Sequence, residues 1–374
     1  MLSLYMFNKK LLLGFFLVAA LKLESASDTH HAASLDEPVL MKMGLKVAHP
    51  HVAEAAARLV SAPPIRVSPR PSAGSVLELG NIRNIPSSLV YDQLQLGSCI
   101  GNAMGFIIRY LSVRNSDKPA DFSSANKQML NPSRLYHYYN ARYEEGNITG
   151  DSTNVLYDTG ASMQGAMIAL DKYGTCPETF SSSIDLGNGF RYSGWVYNIS
   201  MFARQPTPES YRFAFDPSFN GINTTTALNP YKVVSQNIRY VDLCSKYAKS
   251  NRNTLNTTLE KNELVANIRS FLGKNNPIYF GILLESAFYS AGTNGGYVPM
   301  PATTSSKFKV IGGHALVIVG HGQYNSKLPG QNYFRFLNSW GSALGDGGFG
   351  YFPEEYVANT NFFGVSAYAV DLLK

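Results

Sequence analysis

Residues 91–99 end in a candidate nucleophile, and they read Tyr91-Asp92-Gln93-Leu94-Gln95-Leu96-Gly97-Ser98-Cys99. The Gly-Ser pair before the cysteine is typical of a loop. The apolar residues that follow recur at helical spacing, at positions 103, 106, 107 and 110. We therefore predict a helix that begins at Cys99. The positive end of its dipole would favour the thiolate, which is the nucleophilic form of cysteine.

Two later segments supply the groups that a nucleophilic cysteine needs. His314 lies in the apolar run 312–320 and can exchange protons with the thiol and with a leaving group. Asn338 can hold the imidazole by accepting from its second ring nitrogen, and Trp340 can shield that bond from water. Simpler explanations remain open: His314 could be a hydrogen-bonded core histidine, and Asn338 could be an asparagine that ends a strand at a turn.

A fourth candidate, Gln93, precedes the cysteine and can donate its side-chain amide to a developing oxyanion beside the backbone N–H of Cys99. Gln95 is an alternative donor closer to the cysteine. His321 is the nearest rival of His314. Seven residues separate the two histidines, and an odd separation along a strand predicts that they face opposite sides of the sheet.

Composition narrows the class of protein. The chain has 374 residues, a formal net charge of +6 and 45% hydrophobic residues, so it can bury the core of one or two domains. Aromatic residues make up 12%, which argues against a disordered chain. No long run of lysine and arginine is present, so we expect no nucleic-acid partner.

The N-terminus has the pattern of an export signal. Asn8-Lys9-Lys10 precedes an apolar stretch at 11–21, and small residues follow at 25–27. We predict a signal peptide at 1–27, with cleavage after Ala20 and an uncleaved anchor as alternatives. The mature protein is then expected to be secreted or periplasmic, without stable membrane association.

Residues 28–76 are predicted to form a leader. It contains a short helical pattern at 52–60 and a proline-rich, extended linker at 62–71. Before an exported enzyme such a leader is either a propeptide or an unstructured spacer. We place the catalytic domain at 77–374, with an irregular, Asn- and Ser-rich insertion at about 183–262.

Secondary-structure patterns change along the catalytic domain. Helical periodicity is found at 132–144, 162–173 and 264–272. Strand patterns are found at 231–241, 277–284, 314–319 and 333–337. A helix-rich first half therefore precedes a strand-rich C-terminal third, which indicates an α+β fold. Apart from Cys99, the chain has Cys176 and Cys244, which form either a disulfide or two buried free thiols.

Together these motifs resemble the papain family of cysteine peptidases, and specifically its bacterial branch. The resemblance rests on the segment that ends at Cys99, on Gly312-Gly313-His314-Ala315, and on Asn338-Ser339-Trp340-Gly341 with its glycine-rich continuation to Tyr351. It implies two lobes, a helical one that carries the cysteine and a β-barrel-like one that carries histidine and asparagine. A peptide would bind in the cleft between the lobes.

The resemblance also implies roles for four residues. Cys99 would be the nucleophile, His314 the general acid and base, Asn338 the orienting residue and Gln93 the oxyanion donor. Substrates would be proteins or peptides, and no cofactor or metal is expected. Two features depart from the common family pattern. No second cysteine precedes Cys99, so the usual nearby disulfide is absent, and the leader lacks the long helices of the usual inhibitory prodomain.

The leading prediction is a secreted cysteine peptidase that acts through a thioester acyl-enzyme. An exported amidase or acyltransferase with the same triad is one alternative. A binding protein on the same scaffold, without catalysis, is another, although four intact candidate residues argue against it.

Overall fold

The computed structural model describes residues 43–61, 85, 89–114, 131–178, 184–185, 191–215, 238–243, 258–300, 310–323, 332–358 and 366–372. The chain divides into two units, Met1–Leu40 and Met41–Lys374. The first unit, with the predicted signal peptide, lies outside the described residues. Everything below concerns the second unit.

The described helices and strands follow the predicted change from helix to strand. The α-helices are α1 (Pro50–Ala57), α2 (Cys99–Arg114), α3 (Arg134–Thr149), α4 (Met163–Tyr173), α5 (Pro208–Phe215), α6 (Thr258–Leu272) and α7 (Glu354–Ala358). The strands are β1 (Val60–Ser61), β2 (Ile184–Asp185), β3 (Arg191–Tyr192), β4 (Ile238–Asp242), β5 (Ile278–Glu285), β6 (Val310–Gln323), β7 (Asn332–Leu337), β8 (Phe349–Pro353) and β9 (Ser366–Leu372). Short 3₁₀ helices lie at Ile199–Met201 and Ser286–Gly292.

Seven strands form one sheet in the order β1-β4-β9-β5-β6-β7-β8. Every pairing in it is antiparallel except that of β1 with β4. The long strand β6 lies between β5 and β7 and places His314 opposite Ile282. We call this sheet with α6 and α7 the sheet lobe, and we call the described residues of 89–215 the helical lobe.

Side chains alternate between the two faces of β6, as strand geometry requires. Ala315, Val317 and Val319 belong to a buried cluster that includes the apolar residues of α2, α3 and α4. Leu316 and Ile318 belong to a second buried cluster, with α6, α7 and the 3₁₀ helix after β5. The sheet therefore has helices on both faces, and the helical lobe packs on the face from which Ala315 projects.

Helices α2, α3 and α4 start within two residues of their predicted positions, whereas α6 starts at Thr258, six residues before the predicted start at 264. Helix α2 begins at Cys99. The side chain of Ser133 accepts from Tyr136 N–H before α3, and that of Ser162 accepts from Gly165 N–H before α4. Such N-caps satisfy amide groups that have no partner inside the helix. Helix α3 is buried on most of its surface because α2 and α4 flank it.

His314 and His321 lie on the same side of the sheet, so the prediction of opposite faces is wrong. Their rings contact aromatic residues of the same buried cluster, namely Phe288, Trp340 and Phe334. The pairing register of β6 with β7 shifts between Ile318 and Gly320. A β-bulge adds one residue to one strand and thereby reverses the alternation of the side chains after it.

The stretch 183–262, predicted as an insertion, includes described elements that pack in both lobes. Strand β4 lies inside the main sheet between β1 and β9, and it overlaps the strand predicted at 231–241. In the helical lobe, the hydroxyl of Ser133 donates to the carbonyl of Trp195 at 2.7 Å. The hydroxyl of Tyr197 donates to the carbonyl of Gln93 at 2.8 Å. These described parts therefore support the loop that precedes Cys99.

Cys176 is buried and carries a free thiol, whose pKa burial raises to about 12. Its predicted disulfide partner, Cys244, lies outside the described residues. In the ranges given above, no helix combines the length and the apolar character that crossing a bilayer requires.

A buried ion pair fixes the start of α3 to the loop before Cys99. Arg134 Nη2 lies 2.7 Å from Glu178 Oε1, and both side chains are 11% exposed. Arg134 Nη1 also donates to the carbonyl of Asp92 at 3.1 Å and to Asn102 Oδ1 at 3.0 Å. The guanidinium lies over the rings of two aromatic residues, Tyr91 and Tyr197.

We expect Arg134→Met to lower the free energy of unfolding by about 3–5 kcal/mol, because it leaves the buried Glu178 carboxylate without its cation. Urea unfolding followed by circular dichroism measures this loss. The double variant Arg134→Met/Glu178→Leu removes both charges and should lose less. A double variant as unstable as the single one would contradict the importance of the ion pair.

Candidate active site

His314, on β6, and Asn338, which directly follows the neighbouring strand β7, form a buried hydrogen bond. His314 Nε2 lies 2.8 Å from Asn338 Oδ1. The backbone N–H of Ser339 also donates to Oδ1 at 2.8 Å, which fixes this atom as the amide oxygen. The ring nitrogen that faces it must therefore carry a proton. In neutral His314 the proton-accepting nitrogen is then Nδ1, which has no hydrogen-bond partner among the described residues.

Aromatic side chains cover the His314–Asn338 bond. The ring of Trp340 lies 4.8 Å from that of His314, centroid to centroid, and only 3% of Trp340 is exposed. Phe288 contacts the rings of both residues. The predicted shielding of this bond by Trp340 is present in the structure. Exclusion of water strengthens the electrostatic interaction within the pair.

Gln93 connects the two lobes at the same place. Its backbone N–H donates to the carbonyl of Ser339 at 2.8 Å, and Ser339 Oγ donates to Gln93 Oε1 at 2.6 Å. Gln93 Nε2 in turn donates to the carbonyl of Leu96 at 2.8 Å. The side chain is thus held with its nitrogen towards the loop that leads to Cys99. Gln95, the alternative donor, is exposed.

Cys99 is the first residue of α2 and is completely buried. Burial raises the pKa of its thiol to about 11, although backbone N–H groups of Ala315, Gly44 and Ile100 that reach the sulfur act in the opposite direction. The contact with Ala315 places the thiol beside the residue that follows His314. The structure therefore brings together all four predicted site residues.

The thiol is buried because a segment of the leader, residues 43–46, lies across it. The backbone of Gly44 touches that of Gly97. A Cβ atom on Gly44 would lie 1.7 Å from the carbonyl oxygen of Gly97, and one on Gly160 would lie 1.9 Å from the carbonyl oxygen of Gly44. Only glycine allows backbones to approach this closely. We refer to residues 43–46 as the cleft segment.

The cleft segment is hydrogen-bonded to both lobes. Leu45 N–H donates to the carbonyl of Gly313 at 3.0 Å, on the sheet lobe. On the helical lobe, Ala161 N–H donates to the carbonyl of Gly44 at 2.8 Å, and Lys46 N–H donates to the carbonyl of Ala161 at 3.0 Å. Leu45 thereby forms a parallel bridge with Ala161. Its side chain is buried in the main apolar cluster, with 8% exposed.

Further contacts anchor the leader beyond the cleft segment. Lys46 Nζ donates to Thr159 Oγ1 at 2.8 Å and to Asn154 Oδ1 at 3.2 Å. Helix α1 buries Val52 and Ala56 against Ile168 of α4, and β1 adds a parallel strand beside β4. Residues 43–61 therefore pass over the thiol, follow the helical lobe and join the edge of the sheet.

His314 is enclosed together with Cys99. Burial lowers the pKa of its imidazole to about 4, although the hydrogen bond with Asn338 acts in the opposite direction. With the cleft segment in place, a neutral thiol and a neutral imidazole are therefore favoured. This is the protonation state in which cysteine is a weak nucleophile.

Sequence reasoning missed two contributors to the site. In the sequence Ser339 is only the neighbour of Asn338, but in the structure its hydroxyl donates to Gln93 Oε1. The cleft segment falls within the predicted leader, and its four residues are too few to carry a periodic pattern. Its only local indication is Gly44 between two apolar residues, Met43 and Leu45. Among the described residues, no group of three or more His, Cys, Asp or Glu side chains could hold a metal ion.

Comparison with known proteins shows which family and which solved structures this chain resembles. Residues 209–369 match the statistical model of the papain family of cysteine proteases. Xylellain, a cysteine protease from Xylella fastidiosa, has a similar fold, with a TM-score of 0.53 and 22% identity over 91% of this chain and 100% of xylellain. The digestive procathepsin L 3 of Tenebrio molitor aligns with a TM-score of 0.41 and 19% identity, over 86% and 79% of the two chains.

The fold shared with xylellain confirms the predicted papain-like α+β fold, and the match over residues 209–369 agrees with the predicted resemblance to papain-family cysteine peptidases. Among curated sequences, an uncharacterized peptidase C1-like protein of Acanthamoeba polyphaga mimivirus is 28% identical over 288 residues, which are 76% of this chain and 71% of that protein. The finer assignment to a bacterial branch stays a prediction.

Proposed function

We propose that the protein is an exported peptidase that hydrolyses peptide bonds through Cys99, His314 and Asn338, and that its leader keeps it latent. The observation that best supports the triad is the buried His314–Asn338 hydrogen bond, because it directs the basic Nδ1 atom away from Asn338. The contact of the Cys99 sulfur with Ala315 N–H supports the placement of the thiol beside that base.

In the proposed reaction, Nδ1 of His314 takes the thiol proton and the Cys99 thiolate attacks the carbonyl carbon of the peptide bond. The tetrahedral intermediate collapses to a thioester, and the imidazolium gives its proton to the departing amine. Water, deprotonated by His314, then hydrolyses the thioester. Asn338 keeps the imidazole oriented through both steps, as the third member of a triad does.

Gln93 would stabilise the oxyanion in both steps. Its Nε2 carries two hydrogens, one of which points to the Leu96 carbonyl. The Gln93 side-chain amide would donate to the oxyanion, together with the backbone N–H of Cys99 at the start of α2. Ser339 fixes the other end of the amide, so the donor is oriented before the substrate binds, as electrostatic stabilisation of a transition state requires.

The leader, 28–76, would act as a propeptide. The cleft segment occupies the space between Gly160, Gly313 and the thiol, where an extended substrate would have to lie. Because it is linked to both lobes by backbone hydrogen bonds, it would exclude substrate until it is displaced or cut. Export through a signal peptide at 1–27, to a secreted or periplasmic location, completes the proposal and rests on sequence pattern alone.

Hydrolysis of unfolded casein tests this function. The protein without residues 1–27 is compared with its Gly44→Val variant, in which the new side chain cannot fit against Gly97. Both are assayed with reductant, beside the same forms that carry Cys99→Ala. We expect cleavage by the Gly44→Val form and little by the parent form. If the Gly44→Val form cleaves no protein although a thiol reagent labels its Cys99, an amidase or acyltransferase is favoured; no labelling favours a binding protein.

We expect Gln93→Ala to lower kcat by about 10²–10³-fold in the Gly44→Val background, because it removes one oxyanion donor. Steady-state hydrolysis of a fluorogenic peptide measures the effect. Gln95→Ala is the control, since Gln95 is exposed. An equal loss in the two variants would contradict the assignment of Gln93.

Acid should favour displacement of the cleft segment. In the closed form the His314 imidazole stays neutral down to a pKa of about 4, whereas its ordinary value is 6.5. Between these values only the open form takes up the proton, so the open fraction should rise by up to about tenfold for each pH unit of acidification. Hydrogen exchange at the amides of Leu45 and Lys46 measures this. Exchange that does not accelerate, after correction for intrinsic rates, would contradict the prediction.

A further inference from the structure

The loop that presents Cys99 is held in place without a disulfide. Residues 91–98 contain no cysteine. Instead, the backbone N–H of Gly97 donates to both carboxylate oxygens of Asp158, at 3.0 Å to Oδ1 and 3.1 Å to Oδ2. Hydrogen bonds to an ionised acceptor are stronger than neutral ones. Asp158 therefore fixes the residue two positions before the nucleophile.

The hydroxyl of Tyr138 links the same carboxylate to Gly160, two residues further along the chain. The hydroxyl of Tyr138, in the second turn of α3, donates to Asp158 Oδ1. That hydroxyl also accepts from the backbone N–H of Gly160 at 3.1 Å. Gly160 precedes Ala161, whose backbone pairs with the cleft segment. A continuous series of hydrogen bonds thus runs from Gly97, through Asp158 and Tyr138, to the wall of the cleft.

A buried arginine stabilises this series of hydrogen bonds. Arg142, one turn further along α3, is fully buried, and its guanidinium lies 4.1 Å from the centroid of the Tyr138 ring. Its Nη1 donates to the carbonyls of Val155 and Tyr157, at 3.0 and 2.9 Å. The backbone on the N-terminal side of Asp158 is therefore fixed to α3, which limits how far the carboxylate can move.

We propose that Asp158 is a positioning residue for the nucleophile and that Tyr138 couples it to the substrate-binding wall. The proposal rests on the proposed peptidase function. Through Gly97, Asp158 sets the position of Cys99 and of its backbone N–H relative to His314. Through Tyr138, Gly160 is held where the backbone beside it, at Ala161, can pair with an extended chain. One network thus aligns the reacting atoms and the binding surface.

The two residues should affect different kinetic constants. Asp158→Asn keeps the size of the side chain but removes its charge and one of its acceptor atoms. We expect kcat to fall by about 10–100-fold with KM within about twofold, because a small displacement of a reacting group costs rate. Tyr138→Phe leaves Gly160 N–H without its acceptor. We expect it mainly to raise KM, by about 3–10-fold, since the wall would bind the substrate backbone less well.

The test measures these constants for a fluorogenic peptide in the Gly44→Val background. Matched controls are Glu355→Gln, which removes a carboxylate from an exposed position, and Tyr143→Phe, which changes an exposed tyrosine of the same helix, α3. The controls should leave both constants within about twofold of the parent. If Asp158→Asn leaves kcat unchanged, or if the controls lower it equally, the proposal is overturned.

Amide hydrogen exchange of the full chain supplies a readout that does not depend on activity. Asp158→Asn should accelerate exchange at Gly97 and Gly160, while the amides in the centre of α3 stay protected. Accelerated exchange throughout α3 would show a general loss of structure and overturn the specific role. If the Gly44→Val protein without further changes proves inactive, the peptidase function fails, and exchange at these two glycines still decides whether the network exists.

Discussion

Replacing Cys99 by alanine in the Gly44→Val background is expected to lower kcat/KM for peptide hydrolysis by about 10⁴-fold or more. Without the thiol no acyl-enzyme can form, and only the oxyanion donors and the binding surface remain. Loss of one member of a catalytic triad typically has an effect of this size, because the members act as a unit. Hydrolysis of a fluorogenic peptide, followed at high enzyme concentration, measures the residual rate.

His314→Ala should cause a loss of the same order, and the double variant Cys99→Ala/His314→Ala should be scarcely worse than either single one. Cys176→Ala is the matched control, because Cys176 is also a buried free thiol but has no described contact with the site residues. Additive losses in the double variant, or a comparable loss in Cys176→Ala, would contradict the triad.

The Gly44→Val substitution by itself is expected to increase the rate of Cys99 alkylation by iodoacetamide at pH 7 by at least about 100-fold. With the cleft segment in place, the thiol has a pKa of about 11, so about 10⁻⁴ of it is thiolate at pH 7. Displacement of Gly44 readmits water to the thiol and to His314. The thiol and the imidazole are then no longer buried. The neutral thiol and neutral imidazole therefore lose their advantage over the thiolate and imidazolium.

Val47→Ala is the control for this variant, because Val47 follows the cleft segment and is 47% exposed. Its alkylation rate should match that of the parent protein. Mass spectrometry of the peptide that contains Cys99 gives both rates. If Gly44→Val reacts no faster than Val47→Ala, the cleft segment does not control access to the thiol, and the leader would not be inhibitory.

Local sequence signals predict the four candidate residues, helices α1 to α4 and α6, and strands β4 to β7. Cys99 is preceded by a Gly-Ser loop and followed by helical periodicity, and Trp340 follows Asn338 directly. Each of these signals comes from residues that are close together in the sequence. These signals can therefore be recognised without knowledge of the tertiary structure. In the structure the four candidate residues lie close together.

Three features could not be predicted because they depend on contacts between distant segments. The bulge between Ile318 and Gly320 reverses the orientation of His321, and it is set by pairing of β6 with β7. The cleft segment gains its position from bonds to Gly313 and Ala161, which lie far along the chain. Asp158 resembles any polar loop residue in the sequence, and its role appears only where its carboxylate meets Gly97.

Covalent labelling by an irreversible, peptide-like thiol inhibitor tests the central claim most directly. The Gly44→Val protein is treated with one equivalent, digested and mapped by mass spectrometry, while peptide hydrolysis is followed in parallel. The proposed mechanism predicts one adduct per chain, on Cys99 alone, and loss of activity in proportion to labelling. An adduct on Cys176 or Cys244, or full labelling of Cys99 with hydrolysis intact, would contradict a cysteine peptidase that acts through Cys99.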